Sequence, residues 1–238
     1  MKNFERNLKP EEALNIGKWH NIPIKIKDQL LKEAIAISDS LKENNEVNLR
    51  GIIFKNIEEI ECYAFANNQI KILDLSNCIK LKNIEQGAFE ENQIKQLKLP
   101  DSIKLINDSA FSSNKIEILD ISNCTNLNNI KFGVMRYNKI KQLKLPKNIM
   151  TIEENAFEAN EIEILDLLEY NQLKNIFLYA FSSNPIKEVK ILDNIKIEYD
   201  IDYYKNDMWN NFAKYYKKNK KKSGDYKLEN NKWQWYPL

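Results

Sequence analysis

The sequence predicts a repeat solenoid, mainly of short β-strands, with an α-helical cap at its N-terminal end and a helix plus a hairpin at its C-terminal end. The first observation is a recurring pair of one small and one large apolar residue. Successive large residues are separated by 24, 22, 24, 22 and 24 positions, so two kinds of repeat alternate with a combined period of 46. A fixed period of this size is typical of stacked units. The pairs are Ala64-Phe65, Ala88-Phe89, Ala110-Phe111, Val134-Met135, Ala156-Phe157 and Ala180-Phe181.

Residues 1–46 precede the repeats and are predicted to form an N-terminal helical cap. Pro10 suits the first turn of a short helix that Gly17 would close, and Asp28 suits the N-cap of a longer helix over 29–43. An apolar stripe on that helix has the character needed to cover the first repeat, although a partner-binding helix is the alternative. The stripe consists of Leu30, Leu31, Ala34, Ile35, Ile37 and Leu41.

Each repeat contains a Leu-x-Leu type segment, which is the second observation behind the fold. Alternation with a period of two predicts a short strand whose apolar residues face the core and whose middle residue faces outward. A second apolar pair follows each segment, for example Leu81 and Ile84. The segments are Leu73/Leu75, Leu97/Leu99, Leu119/Ile121, Leu143/Leu145, Leu165/Leu167 and Val189/Ile191.

An asparagine lies three residues after the large residue of every pair. A side-chain amide both donates and accepts hydrogen bonds, so a column of asparagines predicts a ladder that stabilises the turns and has a structural role. The column consists of Asn68, Asn92, Asn114, Asn138, Asn160 and Asn184.

These motifs resemble those of a known family. The pattern I-x-x-x-A-F-x-x-N-x-I-x-x-L-x-L-P-x-x-I-x-x-I, read from Ile84 to Ile106, is similar to the leucine-rich repeats of the BspA-like type, and the resemblance covers about residues 47–195. It implies a curved solenoid over about 47–199 that binds other macromolecules, commonly in adhesion or host interaction at a cell surface. In this chain, asparagine stands where that family commonly has cysteine after Ala-Phe.

The outward-facing strand residues are the candidate partner-binding site. The central column alternates strictly in charge, and the adjoining column alternates apolar with polar residues. Two interpretations remain open: a solvated ladder in which each exposed ion pair is worth at most about 1 kcal/mol, or a binding face for a protein partner. A polyanion prefers a surface of one sign, so this face is a poor nucleic-acid site. The columns are Asp74, Lys98, Asp120, Lys144, Asp166 and Lys190, and Ile72, Gln96, Ile118, Gln142, Ile164 and Glu188.

Residues 200–238 are predicted to form a basic, aromatic C-terminal cap. A helix is expected over 206–218, followed by a hairpin whose two-residue turn is Asn230-Asn231. That turn places Leu228 opposite Trp233 and Tyr226 opposite Trp235.

The tail also carries the alternative binding site. Residues 203–238 contain nine lysines and three acidic residues, whereas the whole chain has a net charge of only +2. An intracellular scaffold could use this basic, aromatic tail to engage an acidic partner, nucleic acid or an anionic membrane, although a solvated helix end is favoured. The lysines are Lys214, Lys217, Lys218, Lys220, Lys221 and Lys222.

Catalysis, metal binding and a cofactor are not expected. The chain has a single histidine, His20, and no glycine motif for phosphate or cysteine spacing for zinc. Cys78 and Cys124 occupy equivalent places two strands apart, too far for a disulfide, and are expected to be free thiols. The absence of a recognisable signal peptide predicts a cytoplasmic location, whereas the family resemblance implies the cell surface. The partner's identity and the oligomeric state stay open.

Overall fold

The computed structural model of the protein describes residues 46–48, 57–200 and 207–238. The helical cap predicted for residues 1–46 lies outside the described residues, apart from Glu46. Within them, the chain winds as a solenoid of short strands, which confirms the predicted fold class.

One column of parallel strands carries the Leu-x-Leu segments. Strands are numbered in chain order and alternate between this column and a second one. Side chains alternate across each strand, so Leu73 and Leu75 point into the core and the residues between and before them point away. The strands of this column are β1 (Glu46–Asn48), β3 (Ile72–Asp74), β5 (Gln96–Lys98), β7 (Ile118–Asp120), β9 (Gln142–Lys144), β11 (Ile164–Asp166) and β13 (Glu188–Ile191).

The first strand, β1, extends the column by one strand beyond the six predicted segments. It pairs in parallel with β3, so that Glu46 lies beside Ile72 and Val47 beside Leu73. The step from Glu46 to Ile72 is longer than the step between any later pair of neighbouring strands in the column, so the spacing rule missed it.

The second column consists of two-residue strands that carry the second member of the second apolar pair, such as Ile84 of the pair Leu81/Ile84. Each strand from β2 to β12 buries its isoleucine in the core, and Ile197 of β14 is half-buried against it, which is why two residues suffice to anchor this side of the turn. The strands are β2 (Glu59–Ile60), β4 (Asn83–Ile84), β6 (Leu105–Ile106), β8 (Asn129–Ile130), β10 (Thr151–Ile152), β12 (Asn175–Ile176) and β14 (Lys196–Ile197).

The phenylalanines of the Ala-Phe pairs form a continuous stack inside the solenoid. The ring centroids of Phe65 and Phe89 lie 5.2 Å apart and those of Phe89 and Phe111 lie 5.4 Å apart, with nearly parallel planes. Met135 fills the same buried layer in the irregular repeat. Burying one such side chain stabilises the fold by about 1.5–3 kcal/mol, so these layers are a main source of stability.

The asparagine ladder joins each turn to the preceding one. Asn114 is typical: its Nδ2 donates to the carbonyl oxygens of Phe89 (2.9 Å) and Phe111 (3.2 Å), and its Oδ1 accepts from Ile94 N (2.9 Å). The predicted structural role is confirmed, because these bonds satisfy buried backbone groups that no strand reaches. The same three bonds are made by Asn92, Asn138, Asn160 and Asn184.

A helix and a hairpin follow the last repeat. Helix α1 (Met208–Lys218) begins at Asp207, whose side chain accepts from Asn210 N at 2.8 Å, and carries basic residues in its last turn. Trp209 continues the aromatic stack, with its ring centroid 4.9 Å from that of Phe181. The helix therefore covers the apolar end of the phenylalanine stack.

The hairpin consists of β15 (Gly224–Glu229) and β16 (Lys232–Tyr236), and its predicted register is confirmed. Leu228 lies opposite Trp233, and Tyr226 lies opposite Trp235. Both turn residues, Asn230 and Asn231, have φ values in the left-handed region (49° and 60°), as this kind of two-residue turn requires. The hairpin joins the solenoid because β15 pairs antiparallel with β13.

Candidate binding face

Eight of the twelve predicted face residues are exposed and lie on four consecutive strands. Strands β5, β7, β9 and β11 each contribute the residue before and the residue after their central leucine. Ile118 and Ile164 are 59% and 58% exposed, which is unusual for isoleucine on a regular strand. The exposed residues are Gln96, Lys98, Ile118, Asp120, Gln142, Lys144, Ile164 and Asp166.

Asp74 is a correction to the predicted face. It was expected to point outward into solvent, but it is only 6% exposed. Strands β1 and β5 flank its strand on either side, and its Oδ1 accepts hydrogen bonds from the backbone N–H and the hydroxyl of Ser76 (3.1 and 2.6 Å). A carboxylate engaged in this way serves the turn after β3. Its neighbour Ile72 is half-buried.

The C-terminal end of the predicted face is also partly covered. Glu188 and Lys190 on β13 are half-buried because β15 lies alongside that strand. Lys190 Nζ lies 3.5 Å from Glu188 Oε1, so the lysine forms an ion pair within its own strand. The open part of the face therefore runs from β5 to β11.

The predicted charge ladder forms between β7 and β9. Lys144 Nζ lies 3.7 Å from Asp120 Oδ2, across a paired step of the column. The pKa of Asp120 is lowered, first by the hydrogen bond from the Ser122 hydroxyl, with a smaller contribution from the charge of Lys144. Both side chains are largely exposed, so this pair adds little stability and leaves its charges accessible.

Among the described residues, backbone pairing along the column is interrupted at two steps. Backbone ladders join β7 to β9 and β11 to β13, whereas in the described residues no such ladder joins β5 to β7 or β9 to β11. The unpaired steps are those in which the shorter kind of repeat separates the two strands. We call the step from β5 to β7 the first seam and the step from β9 to β11 the second seam. An even stack of strands was expected from the sequence, so neither seam was predicted, although the alternation of shorter and longer repeats is a signal for them.

The six lysines of the alternative site lie around the end of α1 and the loop after it. Lys217 and Lys222 lie over aromatic rings, 5.3 Å from the Tyr199 centroid and 5.0 Å from the Trp235 centroid respectively. Over the ranges 57–200 and 207–238, none of the six has a carboxylate within ion-pair distance. Within the described residues, the charge of the patch is therefore not offset by an ion pair.

The three cysteines are free thiols, as expected: Cys62 is exposed, whereas Cys78 and Cys124 are buried. Burial raises the pKa of both buried thiols to about 12, with a smaller contribution from Asp74 and Asp101 respectively. A search for groups of metal-ligating side chains in the described part of the chain finds none. Over the same residues, no helix has the length and apolar character to cross a membrane.

The fold and its exposed strand face define a leucine-rich-repeat solenoid. The family model described as BspA type leucine rich repeat region matches residues 37–163 and 126–212, with six copies. The chain belongs to this family, as its sequence resemblance predicted. Repeats of this kind are commonly protein-interaction modules and are typically non-enzymatic.

Two solved structures are similar to the chain. One is a leucine rich cell surface protein from Faecalibacterium prausnitzii A2-165 (16% identity, TM-score 0.38), with 58% of this chain and 39% of that chain covered. The other is a leucine-rich repeat protein from Bacteroides ovatus ATCC 8483 (14% identity, TM-score 0.37), with 60% and 49% covered. This chain thus spans less than half the length of either structure. No curated protein matches the sequence.

Proposed function

We propose that this protein binds a protein partner through the open strand face on β5, β7, β9 and β11. The exposure of Ile118 and Ile164 is the observation that carries the proposal. Burying one isoleucine is worth about 1.5–3 kcal/mol, so two on one face supply the apolar centre of an interface. The surrounding Gln, Lys and Asp side chains supply the polar rim.

Adhesion is the finer form of this proposal. The family resemblance implies a partner on a host or neighbouring cell. The mixed charges of the face suit a protein of similarly mixed charge better than a polyanion. Labelling intact cells of the source organism with a membrane-impermeant lysine reagent tests this form, and an unlabelled protein would contradict adhesion while leaving partner binding intact.

Capture of partners by face variants tests the proposal itself. The double variant I118S/I164S removes the apolar centre, and I79S/M150S is its matched control because Ile79 and Met150 are exposed but lie outside the column strands. A partner retained from extracts of the source organism and its neighbouring cells should bind the face variant at least about tenfold more weakly. Equal loss in both variants, or in neither, would contradict binding through the face.

A second candidate function rests on the lysine patch. Its six lysines lack ion-pair partners in the described residues, so an acidic protein segment would gain charge interactions at little cost. Replacing all six with glutamine should abolish such binding and its salt dependence. Binding of nucleic acid or anionic vesicles by the wild-type protein would redirect this second candidate to those partners.

A further inference from the structure

The second seam, between β9 and β11, contains an open groove of about 820 Å³. Its floor includes Leu143, Leu145 and the buried ring of Tyr170, whereas Lys147 and Glu169 lie exposed at its rim. A groove of this volume is large enough to hold several side chains of a ligand.

Among the residues that differ between the two seams, two substitutions change how the neighbouring turns are joined. At the first seam, Asn123 Nδ2 donates to Leu99 O (3.1 Å) and to Asp101 Oδ1 (2.6 Å), which ties the neighbouring turns together. One double repeat later, Glu169 stands in the place of Asn123 and has no hydrogen to donate. Glu169 instead forms an exposed ion pair with Lys147, at 3.2 Å.

Tyr170 is the second substitution and stands in the place of Cys124. Its hydroxyl accepts a hydrogen bond from Leu145 N at 3.1 Å, a backbone group at the end of β9 that has no strand partner across the seam. The aromatic ring of Tyr170 forms part of the floor of the groove. The hydrogen bonds that Asn123 makes across the first seam have no counterpart at the second seam, where Glu169 cannot donate. The groove is therefore a built feature of this one repeat.

The charges in the groove favour a cation. Lys144 is paired with Asp120, and Lys147 is paired with Glu169. Asp166 accepts a hydrogen bond from Leu168 N (3.1 Å) through Oδ1, and no cation in the described residues lies within ion-pair distance of its carboxylate. Both lysines of the groove are therefore neutralised by a carboxylate, whereas the exposed carboxylate of Asp166 has no cation beside it in the described residues.

The backbone of the seam and the apolar surface beside it favour an extended peptide as the ligand, with a basic side chain of that peptide as the cation. No backbone hydrogen bond joins β9 to β11 in the part of the chain that the structure describes, so the facing strand edges present N–H and C=O groups. Ile164 is exposed one residue before the central leucine of β11 and adds an apolar contact beside Asp166.

From these observations we infer that the second-seam groove binds an extended segment of the partner protein, with a lysine or arginine of that segment on Asp166 and an apolar side chain two positions away, on the same face of the segment, over Leu143 and Ile164. The inference rests on the proposed function, because it places the partner on the same face. It adds the recognised chemistry: a basic residue and an apolar residue two positions apart in an extended segment.

A random peptide display library, selected on the wild-type protein, tests the inference. Enriched peptides should share a basic residue and an apolar residue two positions apart. They should bind D166N at least about tenfold more weakly, a change that corresponds to about 1.4 kcal/mol. The control variant E91Q/D193N removes two exposed carboxylates outside the groove and should bind them like the wild type.

Each outcome decides between the groove and the face. No enrichment, or enriched peptides that ignore D166N, would overturn the groove inference. A captured partner that is lost by I118S/I164S but retained by D166N would overturn it as well and leave the proposed function standing. Groove-dependent peptides together with captured partners that are weakened by D166N and by I164S but ignore I118S would support the groove and refute the wider face.

Discussion

Replacing Asn138 with alanine tests whether the asparagine ladder holds the turns together. The Asn138 side chain is buried at 7% exposure; it donates to Phe111 O and Met135 O and accepts from Ile116 N. Alanine removes all three bonds and leaves buried backbone groups without partners. At a net value of about 1 kcal/mol for each bond, the free energy of unfolding should fall by about 3 kcal/mol.

Urea unfolding followed by circular dichroism measures this loss. The matched control is Asn128→Ala, because Asn128 is exposed and its side chain accepts a bond only from its neighbour Asn129. The Asn128→Ala substitution should change the free energy of unfolding by less than about 0.5 kcal/mol. A loss of less than about 1 kcal/mol for Asn138→Ala would show that water or backbone rearrangement replaces the ladder, and the reasoning would fail.

Three further predictions concern the core, the thiols and the second seam. Phe89→Ala removes the central ring of the stack and should lower the free energy of unfolding by about 3–5 kcal/mol in the same urea assay. A thiol reagent should react with Cys62 alone in the native protein and with all three cysteines in denaturant. Because burial raises the folded pKa of Cys78 from 9.0 to about 12, the unfolded chain ionises first, so stability should fall as pH rises through that window. Tyr170→Phe removes the acceptor for Leu145 N and should cost about 1–2 kcal/mol.

Each of these has a control or a contradicting result. Phe132 is 38% exposed, and its replacement by alanine should cost far less than that of Phe89. Two or more fast-reacting thiols in the native state would contradict the burial of Cys78, and an unchanged slope of stability against pH in Cys78→Ala would contradict its raised pKa. Tyr137→Phe, at an exposed tyrosine, should be neutral; an equal cost at Tyr170 and Tyr137 would remove the special role of the seam hydroxyl.

The sequence predicted local structure correctly where a single local interaction determines it. The turn at Asn230-Asn231 fixed the hairpin register, because two consecutive left-handed residues permit one pairing. Asn114 could be assigned to the ladder because an amide that recurs at a fixed distance after a buried phenylalanine lies next to turn backbone groups. Those groups are the partners with which its side chain forms hydrogen bonds.

The candidate site was harder to predict because exposure depends on neighbouring strands. Asp74 and Asp120 follow the same pattern and both accept bonds from the serine two residues later, yet Asp74 is buried because its strand is paired on both sides. The seams depend on how the shorter and longer repeats stack on one another, which no single repeat reveals. Glu169 and Tyr170 were visible as departures from Ser-Asn-Cys, but their effect on the groove required the geometry of the turn beside them.

The alternation of paired strands and unpaired seams limits how a chain of this kind can change its length. Deleting residues 118–141, a single repeat of the longer kind, would bring the strand with Lys98 next to the strand with Lys144 and place like charges side by side. Deleting residues 118–163, one longer and one shorter repeat together, would leave Lys98 beside Asp166 and keep every remaining pair intact. Recombination within such a gene is therefore expected to preserve the double turn as its unit, and viable length variants should differ by whole multiples of it.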